Sequence, residues 1–156
     1  MDEHSEALGD SGSDRGSRRK ARAAALRLLY SRELRRASGD FTRDDEATLA
    51  DLLDVRPDDP QQPYIRRMVR MVEMSTSELD RHISPLLRGW SMDRLTRVDR
   101  LILRFGAYEI LREPTDEADD PRSVAISSAI DMARIYSTPE AMTFINGVLS
   151  GLKRDI

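Results

Sequence analysis

Arg15, Arg18, Arg19, Lys20 and Arg22 fall within one short stretch near the start of the chain. At 100° per residue, a helix places Arg15, Arg18, Arg19 and Arg22 on one side of its beginning. Guanidinium groups present a fork of donors that matches phosphate oxygens, and their planes stack on unpaired bases. The chemistry this pattern suits is the gripping of a nucleic-acid backbone. Charge alone leaves two readings open, a solvated helix end and a nucleic-acid contact.

Other chemistry finds little support. The chain has no cysteine, so neither a disulfide framework nor a thiolate metal site is expected. The two histidines, His4 and His82, are far apart, and neither has a ligand partner at metal-binding spacing. No GxxxxGK[ST], GxGxxG, GxSxG or HExxH pattern occurs. The acids are scattered, and Asp93 and Asp99 sit at a helix entry where capping accounts for them. No general base has a partner to orient it. No catalytic residue, metal or cofactor is expected, and the chain reads as a binding protein rather than an enzyme.

The elements that must position the cations follow from composition and periodicity. In 156 residues, aromatics make up 5% and charged residues 34%. With many Ala, Leu, Arg and Glu, this favours helices. Residues 1–14 contain Asp2, Glu3, Glu6, Asp10 and Asp14 and no Lys or Arg. They read as a disordered acidic tail, ahead of a single helical domain over 15–156. No apolar run approaches the ~20 residues of a membrane span. The opening MDEHSEALGD lacks the basic end and apolar stretch of a secretory signal. A soluble, cytoplasmic protein that does not enter the membrane is expected.

The first helix is expected over Ser17–Ser38, ended by Gly39. Its buried middle carries Ala21, Ala24, Ala25 and Leu28 on one flank and Ala23, Leu26, Tyr30 and Leu34 on another, and Arg32, Arg35 and Arg36 crowd its end. A short helix over 46–55 turns Leu49, Leu52 and Leu53 inward. After the proline linker 56–63, one long helix should run from Pro63 to Pro85, with a weaker middle at Ser75 and Thr76. Gly89 permits a turn, and Trp90 is expected to plug the edge of the core. TRVDRLILRFGAYEILR (96–112) is apolar on two sides and therefore central; Thr96 and Asp99 resemble a capping box. An acidic loop over 113–121 precedes a helix over 123–137. In the last helix Thr138 is the N-cap, Pro139 the first helical residue, and Thr143, Gly147, Ser150 and Gly151 a side where another backbone could approach. The fold class is all-α, a single domain of about six or seven helices.

Three stretches carry a family resemblance: SRRKARAAALRLLYSREL (17–34), WSMDRLTRVDRLILRFGAYEIL (90–111) and SVAISSAIDMARIYSTPEAMTFINGVL (123–149). In this order and spacing they resemble the bacterial transcription antitermination factor family NusB over about residues 17–152. The resemblance implies two packed helical bundles. It also implies binding of single-stranded boxA-type RNA of ribosomal RNA transcripts together with NusE, a small-subunit ribosomal protein. The assembly then joins other Nus factors on RNA polymerase. Carried over by residue, the resemblance implies RNA contacts at Arg18, Arg19, Lys20 and Arg22, and at Thr138, Glu140 and Asn146. It implies NusE contacts at Tyr30, Asp93 and Asp99. Ser123, Ser127-Ser128 and Thr143 depart from the family's more basic or amide pattern and thin the positive charge near the C-terminal helices. The same fold forms the RNA-binding domain of a ribosomal RNA cytosine methyltransferase. A chain ending at Ile156 favours the stand-alone factor over that relative, and a protein–protein adaptor without RNA contact is the competing class.

Overall fold

The structure is a computed structural model that describes residues 3–35, 41–113 and 121–153, with side chains from Ser17 in the first helix and from Arg122 in the sixth. Among the described residues there are seven α-helices, two short 3₁₀ turns and no strand. The helices are α1 (Glu3–Leu34), α2 (Arg43–Asp51), α3 (Gln62–Met74), α4 (Thr76–Ile83), α5 (Arg97–Leu111), α6 (Pro121–Tyr136) and α7 (Pro139–Ser150). The all-α expectation holds. No described helix is long and apolar enough to cross a membrane.

The chain divides into two compact units, residues 1–67 and 68–156. In the first, α1 packs on α2. Helix α1 is longer than the expected start at Ser17. The side chains of residues 3–16, on which the reading of a separate acidic tail rests, lie outside the described residues, as does the expected stop at Gly39. Ala21, Ala24, Ala25, Leu26, Leu28 and Leu29 are buried, as helical periodicity requires of a core face. The expected second flank fails at its end: Tyr30 is 36% and Leu34 54% exposed. In α2 and its exit, Leu49 and Leu53 are buried while Leu52 is exposed. Helix α2 ends at Asp51, so Leu52 sits at the C-cap and no longer follows the inward face.

In the second unit α5 is the central helix, packed against α4, α6 and α7. Its residues from Leu101 to Leu111 are buried except for Arg104, which accords with an element apolar on two sides. Arg104 reaches α4 through a two-pronged ion pair, Nε to Asp80 Oδ1 at 2.8 Å and Nη2 to Asp80 Oδ2 at 2.9 Å. A Cβ added at Gly106 would lie 2.8 Å from Leu149 Cδ1. On the small-residue side of α7, a Cβ added at Gly151 would lie 3.1 Å from Leu86 Cδ2 while Gly147 faces open space, so the close neighbours of Gly106 and Gly151 are leucine side chains.

Two further expectations are corrected. The long helix 63–85 is two helices, broken at Ser75, whose backbone leaves the helical region (φ −100°, ψ 7°). Thr76 Oγ1 donates to the carbonyls of Val72 and Glu73 at 3.0 and 3.1 Å; hydroxyls at such a point compete with the helical ladder. Trp90 is no plug, being 55% exposed. Gly89 turns the chain at φ +95°, and the buried Leu87 and Met92 close the core in its place.

Candidate nucleic-acid and partner interface

The basic stretch lies on α1 of the first unit. Arg19 and Lys20 are exposed, and Arg18 and Arg22 are half-buried. The side chain of Arg15 lies outside the described residues. Arg18 is not a loose surface cation: its guanidinium stacks 3.8 Å from the centre of the Tyr64 ring. Tyr64, in the first turn of α3, is buried. Arg67, one turn further along α3, places its guanidinium 5.7 Å from the same ring. Sequence reasoning missed this grouping, because Arg18 and Tyr64 are remote in the chain and no local periodicity connects them.

The basic residues at the end of α1 have a different fate. Arg32 is 2% exposed and pairs with Asp45 of α2, itself fully buried. Arg35 Nη2 reaches the other carboxylate oxygen at 2.8 Å. Asp45 also accepts from the Thr42 backbone N–H at 2.9 Å, and its own N–H donates to Thr42 Oγ1 at 3.4 Å, a complete capping box at the start of α2. Burial pushes the Asp45 carboxyl up. The Thr42 amide, the Arg35 guanidinium, the Arg32 charge and the Thr42 hydroxyl together outweigh it and hold the group below its ordinary 3.8. Arg32 thus fastens α1 to α2 and adds nothing to the exposed cations. The signal was present in the sequence: Ala25, Leu28, Leu29 and Arg32 follow core spacing, and Thr42 with Asp45 follows the capping-box spacing. Tyr30, by periodicity a core residue, opens to solvent on α1.

The remaining candidates lie in the second unit. Thr96 caps α5 by accepting from the Asp99 N–H at 3.2 Å. The Asp99 carboxylate does something the capping reading did not foresee: it accepts from Ser137 Oγ at 2.6 Å. That bond ties the entry of α5 to the turn between α6 and α7. Asp99 is half-buried and Asp93 exposed. Thr138 caps α7, its Oγ1 accepting from the Ala141 N–H at 3.1 Å, and Pro139 takes the first helical position as expected. Glu140 is exposed in the first turn of α7, and Asn146 is exposed two turns on, where its Oδ1 accepts from Ser150 Oγ at 3.2 Å. Helix α7 carries Glu140 and no Lys or Arg. Among the described residues no group of His, Cys, Asp and Glu is arranged to hold a metal ion.

The profile of the NusB family matches residues 19–154. The transcription antitermination protein NusB of Clostridium botulinum (strain Kyoto / Type A2) is 35% identical over 147 residues, covering 85% of this chain and 96% of the relative. That of Symbiobacterium thermophilum is 35% identical over 141 residues, covering 88% and 90%. Among solved structures, T. maritima NusB superposes with a TM-score of 0.68 at 33% identity, covering 85% of this chain and 87% of that one. A crystal structure of the antitermination factors NusB and NusE in complex with double-stranded RNA superposes with a TM-score of 0.71 at 25% identity, covering 86% and 93%. The chain belongs to the NusB family.

Proposed function

We propose that this chain is a transcription antitermination factor that binds boxA-type single-stranded RNA together with NusE and carries it, with other Nus factors, to RNA polymerase in the cytoplasm. The observation that carries the reading is the group Arg18, Arg19, Lys20 and Arg22 on α1, four cations in five residues, in a member of a family whose solved structures include a complex with NusE and RNA. The mechanism is stoichiometric rather than enzymatic. Arg and Lys neutralise phosphates of a short RNA and release its counterions, which supplies affinity without base selection. Tyr30, Asp93 and Asp99 face NusE, which completes the groove. Arg15 adds to the α1 cations, while Thr138, Glu140 and Asn146 supply polar contacts near the start of α7. The acidic segment 1–14, of which residues 3–14 belong to α1, lies ahead of the domain over 15–156 that carries these contacts.

An adaptor that touches protein alone is the second reading, favoured by the exposure of Tyr30 and Leu34 on α1. Fluorescence anisotropy of a labelled boxA-like RNA, titrated with the chain alone and with NusE, separates the two. Saturable binding that tightens with NusE supports the RNA reading; NusE binding without any RNA binding supports the adaptor.

A further inference from the structure

Phosphate contacts by the α1 cations position an RNA without reading it, so base recognition needs a surface that meets a base. Residues 86–95 of the second unit present one. Trp90 is the chain's single tryptophan and, at 55% exposed, the most open aromatic residue among those described. Its position is fixed from both sides. Leu87 before it and Met92 after it are buried, and the Trp90 N–H donates to the Leu87 carbonyl at 3.3 Å. Arg100 of α5 donates to the Met92 carbonyl at 3.3 Å and pins the 3₁₀ turn Met92–Arg94. Between the anchors, Arg88 and Gly89 both hold left-handed backbone, φ +48° and +95°. That region is unfavourable for an arginine, and the turn it makes leaves the indole in solvent rather than in the core. The Arg94 guanidinium lies 5.8 Å from the centre of the Trp90 ring, within cation–π range. Arg88 and Arg94 are exposed, and Asp93 is the one carboxylate in this stretch. An open π-face with guanidinium groups beside it and an excess of positive charge is what an unpaired nucleotide fits: the base stacks and the cations meet its phosphates. A ring held in place beforehand also lowers the ordering cost of binding.

We infer that Trp90, with Arg88 and Arg94 beside it, is a stacking platform for an unpaired base of the bound RNA. The inference rests on the proposed RNA binding, and its test keeps the two apart. Affinity for a boxA-like RNA is measured with NusE at several salt concentrations, for the wild type, Trp90→Phe, Trp90→Ala and the triple variant Arg19→Ala/Lys20→Ala/Arg22→Ala. Trp90→Ala should weaken RNA binding by about 5- to 150-fold, the worth of one stacked base. It alters no charge, so the slope of log K against log[salt] should stay as in the wild type. Trp90→Phe, which keeps a ring to stack on, should retain most of the affinity. Because Trp90 is the only tryptophan of the chain, the difference in emission between the wild type and Trp90→Phe isolates its signal in the presence of NusE. That signal should be quenched by the RNA and should saturate together with binding. Melting curves establish that each variant is folded, and the quenching of the wild type decides the matter if Trp90→Ala is not. Unquenched Trp90 emission on saturation with RNA, or wild-type RNA affinity in a folded Trp90→Ala, overturns the inference; a flattened salt slope in the triple variant then leaves the RNA reading standing. Absence of saturable RNA binding by the wild type overturns the two together. A change of Trp90 emission with NusE alone, no further change with RNA, and weaker NusE binding by Trp90→Ala assign Trp90 to the protein interface and also overturn the inference.

Discussion

Replacing Asp45 by alanine should be among the most damaging single changes in the first unit. Its carboxylate is fully buried and faces Arg32, only 2% exposed. Removing one partner of a buried ion pair leaves the other charge less compensated, at a cost of up to about 3–5 kcal/mol. The Arg35 contact adds little, because Arg35 is 37% exposed and screened by solvent. Loss of the capping box adds about 1 kcal/mol, partly overlapping, since one carboxylate serves both roles. Against a typical total of about 5–15 kcal/mol, the variant should be marginal at room temperature. Arg32→Met should cost clearly less, because Asp45 keeps the Thr42 amide at 2.9 Å and no buried cation is left behind. Urea unfolding followed by circular dichroism measures both. The pair also gives a pH signature. The folded-state pKa of Asp45 is lowered, below an unfolded value of about 3.9. Its contribution is therefore present in full above that unfolded value and is lost as pH falls through it toward the folded one. Arg32→Met should show a shallower loss in that window. A cost under about 1 kcal/mol for Asp45→Ala would refute the reasoning, as would equal costs for the two variants.

Three further outcomes are expected. Leu28→Ala, at a fully buried position of α1, should cost about 2–5 kcal/mol in urea unfolding and should leave the RNA salt slope of the folded fraction unchanged. Asp99→Ala should lose about 1 kcal/mol of stability with its bond to Ser137 and weaken NusE in calorimetry; unchanged NusE affinity would leave Asp99 with its intramolecular bond alone. Deleting residues 1–14 should shift the melting temperature by no more than a few degrees, and a large drop would make that segment part of the fold.

Much of this architecture is legible in the sequence because helix physics is local. Thr96, Thr138 and Pro139 mark helix starts that the structure keeps, and the two apolar sides of α5 identify the central helix before any neighbour is known. What escaped is the pairing of remote side chains. Asp99 has the spacing of a local cap, yet its carboxylate goes to Ser137, and nothing local distinguishes the two roles. Arg32 holds a core-facing position, but its sequence neighbours are basic, and a buried arginine needs a partner that sequence alone does not supply. The residue type of Trp90 points to the core, while the left-handed turn at Gly89 carries it outward. The break at Ser75 was visible only as a weak middle, because hydroxyl groups compete with the helical ladder without forbidding it.

We propose that the α1 cations hold RNA phosphates in a complex with NusE. The most direct measurement is the affinity of a labelled boxA-like RNA for the chain with NusE, over a range of salt, for the wild type and the Arg19→Ala/Lys20→Ala/Arg22→Ala variant. At about −0.7 per phosphate on a single strand, the variant's slope should flatten by roughly 2 and its binding weaken, with the melting temperature preserved because Ala suits a helix. A variant that binds RNA with the wild-type affinity and slope would contradict it and reduce the basic start of α1 to a solvated surface.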